Sequence, residues 1–394
     1  MRYGIKEYCL SIAVVLTTVM SVMLSSCDEA TLPTISIEKE SAIAWGVKQS
    51  CTINYTHNTD TSILPAAIKC RGGVSSKYFK HSFSLELESK YPLGDFNADD
   101  DWVLNASYID KTFMRHKISY DLFRQMSPSN IASKCSYVNV ELNKANLGLY
   151  VLMEEINGSM LCVDKTDSLG MVFKDPPIFY EKRTSFFQDS TNYYQQKYPR
   201  KNESDKTYYI EEFKDFLFHS SDDNFIKGIG DWIDIQSVID WHILLLFTNN
   251  CDGIMKNFIL YKLNSYTPFR ISVWDYDHSF GRDGDNALNM MEVELDCSRS
   301  VLLDRLMQIE ETGYSSRLKD RWFELRGLNI ISSNNIQKMI HQNDRLIRSS
   351  IDINAKRWPF DAKWYHDSNN YDEELDLIGD FVDLRINQLD AYFD

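Results

Sequence analysis

Apolar positions alternate with polar ones in the first part of the chain. Short alternating runs of this kind predict β-strands, and they occur at residues 34–37, 51–55, 66–70 and 82–87. Two further runs, at residues 137–142 and 148–153, are joined by a short polar connection, which predicts a hairpin. The pattern therefore predicts a β-rich region that ends near residue 155.

Helical spacing of apolar residues dominates the rest of the chain. Residues 108–126 have one apolar face, and residues 232–249 are apolar on nearly every face, which is typical of a helix buried in the larger part of a protein. Helical spacing returns at residues 299–309, 317–325, 334–348 and 373–393. Before these last helices, residues 257–262 and 269–274 predict another hairpin.

Together these elements predict an α+β fold with two lobes. We expect a tether and first strands over residues 27–60, a mixed, β-rich N-lobe over residues 61–160, and a mostly helical C-lobe over residues 161–394. With 394 residues, of which 43% are hydrophobic, the chain can bury a sizeable core. Its net charge of −15, without a basic patch, argues against a nucleic-acid partner.

The first 26 residues have the pattern of an export signal. Arg2 and Lys6 give a basic start, and an apolar stretch follows that is short for a membrane span. Leu24-Ser-Ser-Cys27 then matches a lipobox, so we expect cleavage before Cys27 and a lipid anchor on that residue, which would hold the protein to the cell envelope, at the outer membrane or the cell surface. An uncleaved membrane helix is the alternative. The acidic pair after Cys27 is similar to the surface-export signals of Bacteroidetes lipoproteins.

Six cysteines remain besides Cys9 in the export signal and Cys27 at the predicted anchor. In an exported protein they permit up to three disulfides, but their spacing assigns none. Pairing of Cys51 with Cys70 is one candidate. No CxxC motif and no paired Cys and His spacing indicates zinc.

Acidic and amide side chains cluster in two neighbouring segments. Four residues separate Asp252 from Asn257, and Asp275 and Asp277 follow with one residue between them. Mg²⁺ prefers carboxylate and amide oxygens and takes its remaining ligands from phosphates and water. Protein kinases place a catalytic Asp, a metal-binding Asn and a later metal-binding Asp in this order. The pattern predicts a metal and polyphosphate site, and the alternative is that these residues only cap turns and helix ends.

Three basic residues are candidates for contact with the phosphates or the metal. Lys80 leads into the strand at residues 82–87, and an ammonium held by a strand is a fixed charge that can bind phosphates. There are two alternatives. Lys80 is a solvated surface lysine, or the register is shifted and Lys77 has this role. Arg115, in the predicted helix, is either a phosphate contact or part of a salt bridge. We interpret His278 as a turn residue that hydrogen-bonds locally rather than as a metal ligand.

Seven segments of the chain match, in order, the segments of one protein family. They are Leu32 to Ile37, Arg71-Gly72-Gly73 with Lys80, Leu104-Asn105-Ala106 with Asp110 and Arg115, Gly148 to Glu154, Asn249-Asn250-Cys251-Asp252, Asn257 to Lys262, and Trp274 to Gly281. On these segments the chain resembles the CotH kinase family. The family is regarded as a group of atypical, eukaryotic-like protein kinases that use ATP and a divalent metal.

The resemblance implies a role for each matched site residue. Asp252 would be the catalytic-loop acid, Asn257 a metal or phosphate ligand, and Asp275 with Asp277 the metal-binding pair. Lys80 would be the lysine that contacts the phosphates during catalysis.

The remaining members of the implied ATP site are Arg71, Arg115 and Glu154. Glu154 would either pair with the lysine or only mark the connection between the lobes. The implied cofactors are ATP and Mg²⁺ or Mn²⁺.

The predicted reaction is transfer of the γ-phosphoryl group of ATP to a Ser or Thr hydroxyl of a protein. ATP is scarce outside the cytoplasm, so a non-catalytic surface protein that binds a partner protein or a glycan is the main alternative. A metal-dependent phosphohydrolase or nucleotide sensor is a third. Magnesium-dependent ATP binding distinguishes the kinase from the non-catalytic surface protein. Transfer of the phosphoryl group to protein rather than to water distinguishes the kinase from the phosphohydrolase or sensor.

Overall fold

The computed structural model describes residues 31–180, 191–283, 288–360 and 368–394. The predicted export signal and the predicted anchor residue Cys27 lie outside the described residues. Within these ranges, no helix has the length and hydropathy that crossing a membrane requires.

The β-rich region is a closed barrel. Its described strands are β1 (Thr34–Glu38), β2 (Gln49–His57), β3 (Asp60–Arg71), β4 (Ser82–Tyr91), β5 (Asp99–Asn105), β6 (Cys135–Leu142) and β7 (Ala145–Glu154). They follow the order β1-β2-β3-β4-β5-β7-β6, and β1 closes the barrel by pairing in parallel with β6. The other neighbouring strands pair antiparallel.

Alternation along the strands fills the barrel interior. Side chains point alternately to the two faces of a strand, and in β1 the side chains of Ile35 and Ile37 are fully buried while their neighbours are not. Inward residues from the other strands complete one apolar core, including Ile53, Ile68, Leu85, Trp102, Leu104, Val140 and Leu152. Closure also removes sheet edges that would otherwise be left unpaired.

The rest of the described chain combines a small sheet with helices. The sheet has the order β11-β10-β8-β9, and its strands are β8 (Met171–Lys174), β9 (Gln196–Tyr198), β10 (Phe258–Lys262) and β11 (Arg270–Val273). A short ribbon follows, formed by β12 (Arg282–Asp283) and β13 (Leu288–Asn289). The helices are α1 (Arg115–Met126), α2 (Thr207–His219), α3 (Asp222–Trp232), α4 (Ile235–Thr248), α5 (Val301–Gln308), α6 (Tyr314–Gly327), α7 (Ser333–Arg357) and α8 (Tyr371–Phe393).

Helix α4 is the centre of the larger hydrophobic core. Nearly all of its side chains are buried, and it packs against β11 and against α1, α6 and α8. The Asp234 side chain caps its first turn by accepting a hydrogen bond from the Ser237 N–H. Asn249 ends the helix in the left-handed conformation, which Asn tolerates better than most residues. The helix thus delivers the chain directly to the segment that contains Asp252.

The predicted α+β class and both predicted hairpins are confirmed. The β-rich part, however, is a seven-stranded closed barrel within the described residues, whereas we expected a mixed lobe. The predicted helix over residues 108–126 begins only at Arg115, because the Asp110 carboxylate folds residues 110–115 into a turn. That carboxylate accepts hydrogen bonds from the Thr112 hydroxyl and from the backbone N–H groups of Thr112 and Arg115.

The candidate pairing of Cys51 with Cys70 is wrong. All six cysteines in the described ranges are free thiols. The strand register explains this result, since Cys51 lies opposite Ala66 in the β2–β3 pair and is therefore four residues along the strand from Cys70. Each residue of a strand advances about 3.3 Å, so the two Cα atoms are farther apart than a disulfide allows.

A buried network of four charges connects α1, α8 and the segment after β11. The Arg115 guanidinium donates to Asp110 at 2.7 Å and to Glu374 at 3.0 Å, and Arg282 donates to the other oxygen of Glu374. All four side chains are buried. Buried charges are tolerated when they are paired and hydrogen-bonded, and here two cations balance two anions. Arg115 therefore forms the salt bridge that was one of its two predicted roles.

Removing one member of this network should be strongly destabilising. Glu374→Gln keeps the shape of the side chain but leaves two buried guanidinium groups with one carboxylate between them. We expect the free energy of unfolding to fall by about 3–5 kcal/mol in urea titrations.

Asp372→Asn is the matched control, because Asp372 lies in the same first turn of α8 but is exposed. We expect that variant to lose less than about 1 kcal/mol. Equal losses in the two variants would contradict a special role for the buried network.

Candidate functional site

The turn after β11 brings the carboxylates of Asp275 and Asp277 to the same side of the chain, and we call it the acidic turn. On an extended strand Asp275 and Asp277 would point to opposite faces, but Asp275 has a φ of 60° and so adopts the left-handed conformation. The Asp275 side chain is 50% exposed and the Asp277 side chain 19%. The turn thus presents one accessible and one largely buried carboxylate at a common position.

Three side chains hold the backbone of this turn by hydrogen bonds. The N–H of Asp275 donates to the Tyr120 hydroxyl at 2.8 Å, and the N–H of Tyr276 donates to Nδ1 of His116 at 2.9 Å. The Asn257 amide donates to the carbonyl of Asp275 at 3.1 Å. Two of these groups come from α1, which explains how a helix far from the turn in sequence fixes its shape.

His116 also reaches the two carboxylates. Its Nε2 atom lies 3.9 Å from Asp275 Oδ1 and 4.0 Å from Asp277 Oδ2, so the three side chains form a cluster that could hold a metal ion. Both ring nitrogens, however, already have partners, since Nε2 is 3.1 Å from the Asn105 amide. We therefore regard His116 as a residue that positions the turn, and oxygen atoms are the groups at the turn that could hold a metal ion.

The electrostatics of the turn favour a cation. Burial raises the pKa of Asp277 to about 6, and the charge of Asp275 adds to this effect, while His278 and His116 oppose it. His278 itself hydrogen-bonds to Asp283 through Nδ1 at 2.6 Å. A carboxylate oxygen of Asp275 and one of Asp277 lie within 4.8 Å of each other. The two carboxylates therefore repel each other, and a bound cation would remove that repulsion.

Asn257 is a further polar side chain that contacts the turn. Its amide nitrogen is used by the carbonyl of Asp275, so its Oδ1 atom is the group left to face a ligand. No hydrogen bond to Oδ1 is present within the described part of the chain. The residue has a φ of 62°, and its N–H donates to the Asp175 carboxylate at 2.6 Å. Asp175 therefore fixes Asn257, although the sequence pattern did not single Asp175 out.

Asp252 lies in a short 3₁₀ helix, Asp252–Ile254, directly after α4. Its carboxylate is partly exposed and forms an ion pair with Lys256 at 2.8 Å. Burial lowers the pKa of Lys256, but the carboxylates of Asp252, Asp275 and Asp175 outweigh it and the net pKa is raised. Lys256 thus lies in the field of three acids, and it pairs directly with Asp252 alone among them.

Basic residues lie over the ring of Trp274, the residue directly before Asp275. The Arg71 guanidinium lies 5.5 Å from the centre of the Trp274 ring and the Lys174 ammonium 4.3 Å from it. Arg71 forms an ion pair with Glu155 at 2.6 Å. We call Arg71, Lys174 and Lys197 the basic cluster.

The charges of the basic cluster are only partly compensated. Burial lowers the pKa of Lys174, and Arg71 and Lys197 lower it further, against the opposing effects of Asp175 and Glu155. Burial would raise the pKa of Glu155, but the three cations reverse this and the pKa is lowered. Three cations therefore face two carboxylates, and the excess positive charge suits an anion such as a phosphate.

Lys80 does not join the acids in this structure. Its side chain is only 1% exposed, and its ammonium donates to the carbonyls of Ala106 and Leu149 and to the Asn354 side chain of α7. Burial lowers the pKa of this ammonium well below its usual value. The close approach of α7 also explains Gly148, since a Cβ atom there would lie 2.6 Å from Asn354 Oδ1. Lys80 thus connects the barrel to a helix.

Two other predicted site residues are also engaged elsewhere. Glu154 accepts a hydrogen bond from the Lys134 N–H at 2.9 Å, and Arg115 is enclosed in the buried charge network. The neighbouring Glu155, not Glu154, pairs with a cation of the basic cluster. One signal in the sequence could have revealed part of this cluster: the apolar strand β8 ends abruptly in the charged pair Lys174-Asp175.

Comparison with known proteins agrees with the resemblance in the sequence motifs. A model of the family described as CotH kinase protein matches residues 68–389, which is most of the chain. The chain is also 24% identical over 223 residues to the inner spore coat protein H of Bacillus subtilis (strain 168). That match covers 56% of this chain and 60% of the spore coat protein, so the chain spans less than two thirds of that relative's length. The extent of the family match shows that the chain belongs to the CotH kinase protein family.

Proposed function

We propose that this protein transfers the γ-phosphoryl group of ATP to Ser or Thr hydroxyls of a protein in a metal-dependent reaction. Membership of the CotH kinase protein family supports a kinase-like protein. The observation that carries the proposal is the meeting of opposite charges at Trp274, because Arg71 and Lys174 lie over its ring and Asp275 is the next residue of the chain. A metal-bound polyphosphate combines anionic phosphates, which suit the basic residues, with a metal cation, which suits the carboxylates.

The barrel and the helical part form the two sides of the proposed nucleotide cleft. Arg71 is the last residue of β3 in the barrel, and Glu155 directly follows β7. Asp275 and Asn257 belong to the small sheet and its turns. In this respect the proposed cleft is comparable to the cleft between the lobes of a protein kinase.

The residues at the turn fit Mg²⁺ or Mn²⁺. Asp275, Asp277 and Asn257 offer carboxylate and amide oxygens, which are the ligands that Mg²⁺ prefers. The raised pKa of Asp277 supports this assignment, because burial and the charge of Asp275 disfavour its ionised form and a bound cation would favour it. When bound, the metal would neutralise charge on the phosphates. His116, Tyr120 and Asn257 keep the two carboxylates in place for this purpose.

Lys174 and Arg71 are the proposed phosphate contacts, in place of Lys80. Both are partly buried beside Trp274, whereas the ammonium of Lys80 is enclosed by backbone carbonyls. The partner of Arg71 is Glu155, which holds the guanidinium near the acidic turn. Charges fixed in this way stabilise the transferring phosphoryl group without reorganising during the reaction.

Asp252 is the proposed group that receives the proton of the acceptor hydroxyl. The hydroxyl oxygen forms a bond to the γ-phosphorus, the bond from that phosphorus to the β–γ bridging oxygen breaks, and ADP leaves. Asp252 is partly exposed and so can meet a protein substrate at the surface. The lipid anchor at Cys27 and the location at the cell envelope stay predictions.

The first test is transfer from γ-labelled ATP by the chain from Asp28 onward, with Mg²⁺ or Mn²⁺. We expect labelled protein. Asp275→Asn should lose metal-dependent nucleotide binding because it removes a metal ligand, whereas Asp252→Asn should keep that binding and lose at least about 100-fold in transfer rate.

Other outcomes separate the alternatives. Label released only as free phosphate would indicate a phosphohydrolase. Absence of label together with absence of a nucleotide-induced thermal shift would indicate a non-catalytic surface protein.

A second test compares the two lysines. Lys174→Met should raise the KM for ATP by about tenfold or more, because a charged hydrogen bond to phosphate is lost. It should not lower stability, because burial and neighbouring cations already disfavour this charge.

Lys80→Met is the matched comparison. It should lower the free energy of unfolding by about 1–3 kcal/mol, since two buried carbonyls lose their donor, and it should leave the KM for ATP unchanged. The reverse pattern of effects would return the phosphate-binding role to Lys80.

A third test uses the pH dependence of stability without metal. The pKa of Asp277 is about 6 in the folded protein and lies near 3.8 when unfolded. The folded state therefore binds the proton more tightly, and this carboxyl contributes a destabilisation that appears as the pH rises from 4 to 6.

Asp277→Asn removes that charge. In EDTA it should raise the free energy of unfolding at pH 7.5 by up to about 3 kcal/mol, and the gain should vanish near pH 4. Denaturant titrations at several pH values measure this difference. A variant that is less stable than the original protein at pH 7.5 would contradict the proposed repulsion between the carboxylates.

A further inference from the structure

A cavity of about 600 Å³ lies between helices α4, α5 and α8 and the segment 292–298. This volume falls within the range of cavities that hold small ligands. Apolar side chains form much of its wall: Leu246, Leu295, Leu303, Met307, Leu389 and Tyr392. None of the described residues of the acidic turn or the basic cluster lines it, so the cavity is separate from the proposed phosphate site.

Arg385 lies in the wall of this cavity and has an unusual environment. Its side chain is 95% buried, since only 5% is exposed. Its Nε donates to the carbonyl of Leu246 at 2.7 Å and its Nη1 to the side chain of Gln388 at 3.1 Å. No carboxylate of the described residues lies within ion-pair distance, and Nη2 donates no hydrogen bond to those residues. A buried guanidinium without a counter-ion is costly unless a ligand provides one.

The other buried arginines show what Arg385 lacks. Arg115 and Arg282 both pair with Glu374, which lies on the same helix, α8, as Arg385. The fold therefore neutralises the buried arginines at one end of α8 with carboxylates of the chain. At the cavity end of the helix, no carboxylate of the described chain forms an ion pair with Arg385. Burial lowers the pKa of Arg385, and the charge of Glu294 only opposes this effect.

The histidine in the same wall does not change this balance. Burial lowers the pKa of His242 to about 3, so its ring is neutral. Its two nitrogens are already engaged with the Cys297 thiol at 3.2 Å and the Tyr314 hydroxyl at 3.1 Å. Arg385 is consequently the cation of the cavity among the residues described as lining it.

The mouth of the cavity carries the opposite charge. Glu292, Glu294 and Asp296 line it and are exposed to solvent, and Asp304 of α5 also lines the cavity at a half-buried position. A simple anion would be repelled by these carboxylates on its way to Arg385. The distribution of charge instead matches a ligand with an anionic end inside, an apolar body, and a cationic group at the mouth.

We infer that this cavity binds a zwitterionic ligand whose carboxylate pairs with Arg385 and whose ammonium group lies among Glu292, Glu294 and Asp296. Two sources have this chemistry, namely a free dipeptide or other small amino-acid compound, and the carboxyl terminus of a protein with a basic residue next to an apolar last residue. The inference is independent of phosphoryl transfer. Measurements of ligand binding are therefore sufficient to test it.

Isothermal titration calorimetry of the purified protein with lysyl-leucine tests this inference. We expect binding, and at least about tenfold weaker binding of lysyl-leucine amide, which lacks the carboxylate that Arg385 would neutralise. N-acetyl-norleucyl-leucine, which carries no ammonium group, should also bind more weakly. A ten-residue peptide ending in lysyl-leucine distinguishes the two sources, because only a site for protein termini would bind it as tightly as the dipeptide.

Variants connect the binding to the residue. Arg385→Met should weaken the binding of lysyl-leucine by about tenfold or more. The substitution removes a buried unpaired charge but also removes the donor to the Leu246 carbonyl, so the thermal stability of the unliganded protein should change little. Arg345→Met, at an exposed position on α7, is the matched control and should bind normally. Equal binding of lysyl-leucine and its amide, unchanged binding by Arg385→Met, or no binding at millimolar concentration would overturn the inference.

Discussion

The buried ion pairs around Glu374 are the interaction on which the rest of the site depends. Through Arg115 they fix the start of α1, and through Arg282 they fix the segment that follows the acidic turn. Arg115 also donates to the carbonyl of Ser279 within that segment. Because α1 then supplies His116 and Tyr120 to the turn backbone, one set of charges in the core determines where the carboxylates of Asp275 and Asp277 are presented.

The proposed active site concentrates charges that the fold itself does not fully compensate. Asp277 is held near another carboxylate in a largely buried position, and Lys174 is held near two other cations. Each arrangement lowers the stability of the protein without ligand, and each would be relieved by the opposite end of a metal-bound polyphosphate. The neighbouring Arg115 network shows that this fold can neutralise buried charge where no ligand is expected.

The sequence predicted those features that depend on local patterns and did not predict those that depend on contacts between distant segments. Alternation predicted most of the strands, and an all-round apolar segment predicted α4, but closure of the barrel through the parallel β1–β6 pair has no local signal. Spacing brought Asp252, Asn257, Asp275 and Asp277 to attention. It could not show that Lys80 bonds to Asn354 of α7, 274 residues away, or that Lys174 lies against Trp274.

The most direct measurement of the central claim is a crystal structure of the protein with Mn²⁺ and a non-hydrolysable ATP analogue, in which anomalous scattering locates the metal. The account predicts a manganese peak bonded to oxygens of Asp275 and Asp277, with the phosphates beside Lys174 and Arg71. A nucleotide bound elsewhere, or a metal peak away from these carboxylates, would contradict it.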